Sequence, residues 1–143
     1  AERYAKRLDC EVAAIYKRRS LHVANEVEAL GVMGDVDGRT CVIIDDMIDT
    51  AGTICAAVDT LFDNGATDVL CATTHAVFSG PAVERLRDSR LSKVIVTNSV
   101  PLPDSKRFEK LEVLSIAGVL ADALEAVFED ASVSEIFDGD NHS

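Results

Sequence analysis

The chain has 143 residues, 48% of them hydrophobic, and a formal net charge of −11. That is enough for one domain with its own core, and no apolar run approaches the roughly 18–20 residues of a membrane span. Residues 1–41 carry seven Lys/Arg and seven Asp/Glu, 42–143 carry seven and eighteen, and no Lys or Arg falls between Arg39 and Arg85. A nucleic-acid surface needs clustered positive charge, so neither nucleic acid nor a membrane is an expected partner.

The first residue is Ala, and "AERYAKRL" reads as a helix already under way, with Tyr4, Ala5 and Leu8 at helical spacing. No charged-then-apolar leader precedes it, and the chain is expected to be a piece of a longer cytoplasmic protein. Cys10, Cys41, Cys55 and Cys71 are widely spaced and form no CxxC pair. They are expected to be buried free thiols rather than zinc ligands or disulfides.

Strands are predicted at "CEVAAI" (10–15), "TCVII" (40–44), "DVLCAT" (68–73), "KVIVT" (93–97) and "LEVLS" (111–115). Several are near-continuous Val/Ile-rich runs, the pattern of strands covered on both faces. Residues 16–39, with a basic start "YKRRS" and scattered glycines, read as a long loop of the kind that forms functional lids. A helix is predicted from residue 54, with Ile54, Ala57, Val58, Leu61 and Phe62 on one face and Asn64-Gly65 as its stop. A short helix can start at Pro81 and bury Ala82, Val83 and Leu86. "NSVPLPDSKRFEK" reads as a solvated loop, and Leu120, Ala123, Leu124, Val127 and Phe128 mark a last helix before the fraying tail "DGDNHS". Strands alternating with helices imply an α/β fold with a mainly parallel sheet.

The chemistry concentrates in "VIIDDMIDTAGT", residues 42–53. A strand, a small-residue loop and a helix N-terminus bring backbone N–H groups and a partial positive charge to one point, where an anion can sit. Gly52 permits close approach, while Thr50 and Thr53 offer hydroxyl donors; the Walker pattern and its lysine are absent. Asp45 and Asp46 are expected to close the strand and Asp49 to open the loop. Carboxylates beside a phosphate make sense if they accept hydrogen bonds from sugar hydroxyls or hold Mg²⁺ directly or through water. The residues therefore suggest a sugar phosphate; the plainer alternative is that Asp49 or Thr50 caps the helix and Asp45–Asp46 are solvated turn residues.

This unit resembles the phosphoribosyl pyrophosphate-binding signature of type I phosphoribosyltransferases. A fuller resemblance, to ribose-phosphate pyrophosphokinases, is carried by "KRR" (17–19), "ANEV" (24–27), "GDVDGRT" (34–40), "VIIDDMIDTAGT" (42–53), "NGATDV" (64–69), "ATTHAVFSGPAVERL" (72–86), "VIVTNSVPLP" (94–103) and "SVSEIF" (132–137). It implies a three-layer, Rossmann-like phosphoribosyltransferase-type domain over residues 1–143, expected to be the C-terminal half of the family's chain, with the homologous N-terminal half absent. It further implies diphosphate transfer from ATP to ribose 5-phosphate with Mg²⁺, in a homo-oligomer, a hexamer in the family. By position, Asp49, Thr50, Ala51, Gly52 and Thr53 would hold the 5-phosphate, and Asp45 and Asp46 the ribose hydroxyls and their cation. Residues 17 to about 23 would be the mobile catalytic loop, with Lys17 and Arg19 in the places of its catalytic Lys and Arg and Arg19 also touching substrate.

Ala76 stands where the family usually has Gly, and the loop between Arg19 and Asn25 varies in length within it. His75 is read as structural. Ser132 and Ser134 are candidates for an allosteric anion site, against a packed C-terminal strand. Two other functions compete: a phosphoribosyltransferase consuming phosphoribosyl pyrophosphate, and a non-catalytic, synthetase-associated regulatory subunit, which would lose or rearrange the basic pair at 17 and 19.

Overall fold

In the computed structural model, residues 1–18 and 29–137 are described. The elements run in the order α1 (Glu2–Leu8), β1 (Ala14–Arg18), β2 (Ala29–Met33), β3 (Thr40–Ile48), α2 (Gly52–Asp63), β4 (Asp68–Ala76), α3 (Ala82–Asp88), β5 (Lys93–Thr97), β6 (Leu111–Leu114) and α4 (Ala117–Phe128). Strands β3-β4-β5-β6 form an all-parallel sheet in that spatial order, and β1-β2 form a separate antiparallel pair. The α/β class and parallel sheet read from the alternating pattern are what the chain adopts.

The core lies where α2 and α3 cover the sheet. Helix α2 buries Ile54, Ala57, Val58 and Leu61, the face its 3.6-residue spacing predicts, and α3 buries Ala82 and Leu86. They meet Val69 and Cys71 of β4 and Val94 and Val96 of β5, each at most 1% exposed. Each fully buried aliphatic side chain of this size stabilises the fold by about 1.5–3 kcal/mol. Helix α2 ends as its sequence indicates: Gly65 takes φ 93°, and the N–H of Ala66 reaches back to the Leu61 carbonyl at 3.1 Å.

Several expectations need correction. Strand β3 continues through Asp45, Asp46 and Met47 to Ile48, since its ladder with β4 holds register from Thr40↔Asp68 to Ile48↔Ala76. Ladder hydrogen bonds thus carry the strand past the point where the apolar run stops. The first strand begins at Ala14 rather than Cys10, and the segment 16–39 is not loop throughout: β2 pairs Val32 with Ile15 and Gly31 with Tyr16. Gly31 hid that strand from a propensity reading, yet the Tyr16 ring occupies the space a Cβ would take there. The remaining part of the lid expectation, residues 19–28, lies outside the described residues.

The thiols are free as expected but only Cys71 is buried; Cys10 is exposed, and Cys41 and Cys55 are half-buried. The predicted stripe of α4 faces out, with Leu124 60% and Phe128 86% exposed, and only Ala126 of that helix is buried. Residues 133–137 form a 3₁₀ turn packed on α4, not a strand. No helix among the described residues is long and apolar enough to cross a membrane.

Candidate functional site

The carboxyl end of β3 feeds a three-residue turn, Asp49–Ala51, directly into α2. The segment that follows β4 braces this exit: the N–H groups of Val77 and Phe78 donate to the Ile48 carbonyl at 3.1 and 3.0 Å, and that of Ser79 to the Asp49 carbonyl at 2.9 Å. The turn closes on Ala51, which is 3% exposed and sits in the left-handed region at φ 61°, ψ 4°. A non-glycine residue there is strained, by about 1–2 kcal/mol.

Ala51 is the N-cap of α2, and no side chain caps the helix. The plainer alternative, Asp49 or Thr50 serving as cap, therefore does not describe this turn. The first N–H groups of a helix have no intrahelical partner, and among the described residues no side chain caps this one. A left-handed residue followed by helical ones makes successive N–H groups converge, a concavity suited to an anion. The helix begins at Gly52, two residues earlier than the apolar spacing indicates, so Thr53 stands in its first turn.

Gly52 is needed for room rather than for its torsion angle. A Cβ there would lie 3.3 Å from Nη1 of Arg85 and 3.9 Å from Oγ1 of Thr50. Arg85, on α3, donates from Nη1 to the Thr50 carbonyl at 3.0 Å. Sequence reasoning did not assign this residue to the loop. The available signal was its place as the first base after the base-free window that follows Arg39.

Asp45 and Asp46 are both exposed, and neither has a Lys or Arg partner among the described residues. Because successive strand residues alternate, Asp45 shares a face with its ladder partner Thr73 while Asp46 takes the other. Asp45 and Thr53 line one cavity of about 750 Å³ between α1, β1, β3 and α2. Asp45 also accepts the N–H of Asp46 at 2.9 Å. On the Asp45 face the Thr73 hydroxyl is buried without a hydrogen-bond partner among the described residues. Burial, then the negative charge of Asp45 and the Cys55 thiol, push the Cys71 thiol up to about 12.

Among the described residues no three or more His, Cys, Asp or Glu side chains are gathered as a metal site. His75 shares a 2.9 Å hydrogen bond with the Ser99 hydroxyl, which itself donates to the Thr74 carbonyl at 2.9 Å. That ring is held as a structural group. Lys17 lies on β1 opposite Leu30, a strand position where a loop was expected; Arg19 lies outside the described residues. Ser132 is exposed and Ser134 half-buried at the 3₁₀ turn.

A four-strand parallel sheet, with a helix opening on Gly52 directly after its acidic strand, places the chain in the phosphoribosyltransferase-like α/β class. A family model described as the phosphoribosyl synthetase-associated domain matches residues 3–138. The chain is 51% identical over 138 residues to a ribose-phosphate pyrophosphokinase of Streptomyces avermitilis, covering 96% of this chain and 43% of that protein. It is 52% identical over 141 residues to that of Mycobacterium tuberculosis, covering 98% and 43%. The crystal structure of phosphoribosylpyrophosphate synthetase from Mycobacterium smegmatis superposes with a TM-score of 0.81 at 46% identity, covering 91% of this chain and 41% of that one. The chain belongs to the ribose-phosphate pyrophosphokinase family. It spans about two fifths of the relatives' length, and its reading as the C-terminal half of the family's chain is not upheld: the match is to a synthetase-associated domain that covers 41–43% of those proteins.

Proposed function

We propose that this chain is the ribose 5-phosphate-binding part of a ribose-phosphate diphosphokinase. The full protein would move the β,γ-diphosphate of ATP onto the anomeric oxygen of ribose 5-phosphate. A bond forms between that oxygen and the β-phosphorus, the bond from the β-phosphorus to the α,β-bridging oxygen breaks, AMP leaves, and the hydroxyl proton is lost. The observation that carries this reading is the α2 N-terminus behind left-handed Ala51, which no side chain caps among the described residues and whose N–H groups can receive the 5-phosphate.

Asp49, Thr50, Gly52 and Thr53 line that turn, and Asp45 and Asp46 stand on the strand leading to it, as acceptors for ribose hydroxyls. Mg²⁺ fits this donor set: it is commonly held by one or two carboxylates and completed by substrate phosphates and water, which asks for no three-residue cluster. When bound it would neutralise phosphate charge. Lys17 and Arg19 would supply the positive charge that the acidic strand lacks, stabilising the oxygens on which charge builds as the diphosphate transfers. By family likeness the assembly is a homo-oligomer, and its partners are ATP and ribose 5-phosphate.

The test is AMP release by the full-length protein. Release from ATP should require both ribose 5-phosphate and Mg²⁺, and Asp49→Ala should raise the KM for ribose 5-phosphate about tenfold or more. AMP release independent of ribose 5-phosphate would refute the assignment.

A further inference from the structure

We infer that Arg85 is a positioning residue for the phosphate turn, setting the affinity for ribose 5-phosphate without touching it. The inference rests on the phosphate-binding role proposed for residues 49–53. Arg85 stands on α3, after the second βα connection, 35 residues from the carbonyl it holds. Its Nη1 donates to the Thr50 carbonyl at 3.0 Å.

A trans peptide is planar, with its C=O and N–H pointing in opposite directions. Anchoring the Thr50 carbonyl on Arg85 therefore turns the Ala51 N–H the opposite way. Ala51 then adopts its left-handed conformation at φ 61° and the helix follows. The 50–51 peptide is the one whose rotation would release that strain, and Arg85 is the side chain that opposes it. Without it, the turn has an alternative in which Ala51 leaves the left-handed region and the convergence of N–H groups is lost.

The local electrostatics favour the same role. The turn follows Asp45, Asp46 and Asp49, and the sequence has no Lys or Arg from 40 to 84. Arg85 makes no ion pair with a carboxylate among the described residues. A guanidinium has five N–H donors, and only one is engaged with the turn. Gly52 leaves the guanidinium the space it uses, since a Cβ there would lie 3.3 Å from Nη1. Its backbone is tied in as well: the Cys55 thiol of α2 donates to the Arg85 carbonyl at 3.7 Å.

The experiment compares Arg85→Met, Arg85→Lys and Asp49→Ala in the full-length protein by steady-state AMP release and thermal unfolding. For Arg85→Met we expect a KM for ribose 5-phosphate raised about tenfold, with the KM for ATP and the midpoint of unfolding nearly unchanged. Arg85→Lys, which keeps a charged donor, should recover part of that loss. A merely structural arginine would lower the unfolding midpoint and leave the ratio of the two KM values alone. If Arg85→Met leaves the KM for ribose 5-phosphate at its original value while Asp49→Ala raises it, the positioning role is overturned and the phosphate turn stands. If neither variant changes that KM, the phosphate turn fails, and the role of Arg85 with it. Should Arg85→Met not fold, an Arg85→Lys protein that shows no change in the ribose 5-phosphate KM and unfolds at a lower temperature overturns the inference equally.

Discussion

Lys17 is paired with Leu30 across the antiparallel ladder of β1 and β2. The ladder fixes the backbone of Lys17, so a charge assigned to a moving loop starts from a strand.

This gives the first prediction. Lys17→Ala should lower kcat of the full-length enzyme by about a hundredfold or more, the scale for losing a charge-stabilising donor, with the KM for ribose 5-phosphate within a few-fold. Leu30→Pro, which perturbs the ladder opposite Lys17 without altering any charge, should lower kcat in the same direction. Steady-state kinetics of both variants checks the pair, and wild-type kcat in Lys17→Ala would remove Lys17 from the mechanism.

The left-handed turn gives the second. Ala51 is buried at φ 61°, a region that β-branched residues tolerate poorly. Ala51→Val should destabilise the protein by about 2 kcal/mol or more, with added crowding in the core. Denaturant unfolding measures it, and an unchanged midpoint would mean the turn relaxes freely.

Gly65 gives the third. It combines φ 93° with contact between a would-be Cβ and the Asp37 carboxylate, so Gly65→Ala meets both torsional strain and a clash. A loss of at least about 1 kcal/mol is expected. Gly38→Ala is the control, because its φ of 68° carries strain but nothing lies within 4 Å of a Cβ there. The difference between the two variants reads the clash together with the added strain of the larger φ at Gly65.

The fourth concerns pH. Burial and the nearby Asp45 charge raise the folded Cys71 thiol from 9.0 to about 12. Above pH 9 the unfolded chain gives up this proton while the folded chain keeps it. The unfolded state then binds fewer protons, and stability falls as pH rises, by about 1.4 kcal/mol per pH unit from this group, between pH 9 and 12. Below pH 9 this group contributes no slope. Cys71→Ala should flatten that alkaline slope although it costs packing. With a thiol reagent at neutral pH, exposed Cys10 should react in the native protein and Cys71 only on unfolding.

By itself the sequence determined the α/β alternation, because short Val/Ile-rich runs such as β5 alternate with the 3.6-residue apolar spacing of helices such as α2. It also determined the family, because the acidic strand and its small-residue turn must stand in chain order to work. Strand ends were not readable in it: β3 runs on through Asp45 and Asp46, and β2 forms despite Gly31, since ladder partners far along the chain supply the hydrogen bonds. Nor did it reveal that Ala51, rather than a glycine, takes the left-handed position, in a turn hydrogen-bonded by residues 77–79 and Arg85. Only the tertiary structure decided that a positive charge, Arg85, reaches the 49–51 turn, because folding α3 against α2 brings together residues 50 and 85, which no local pattern connects.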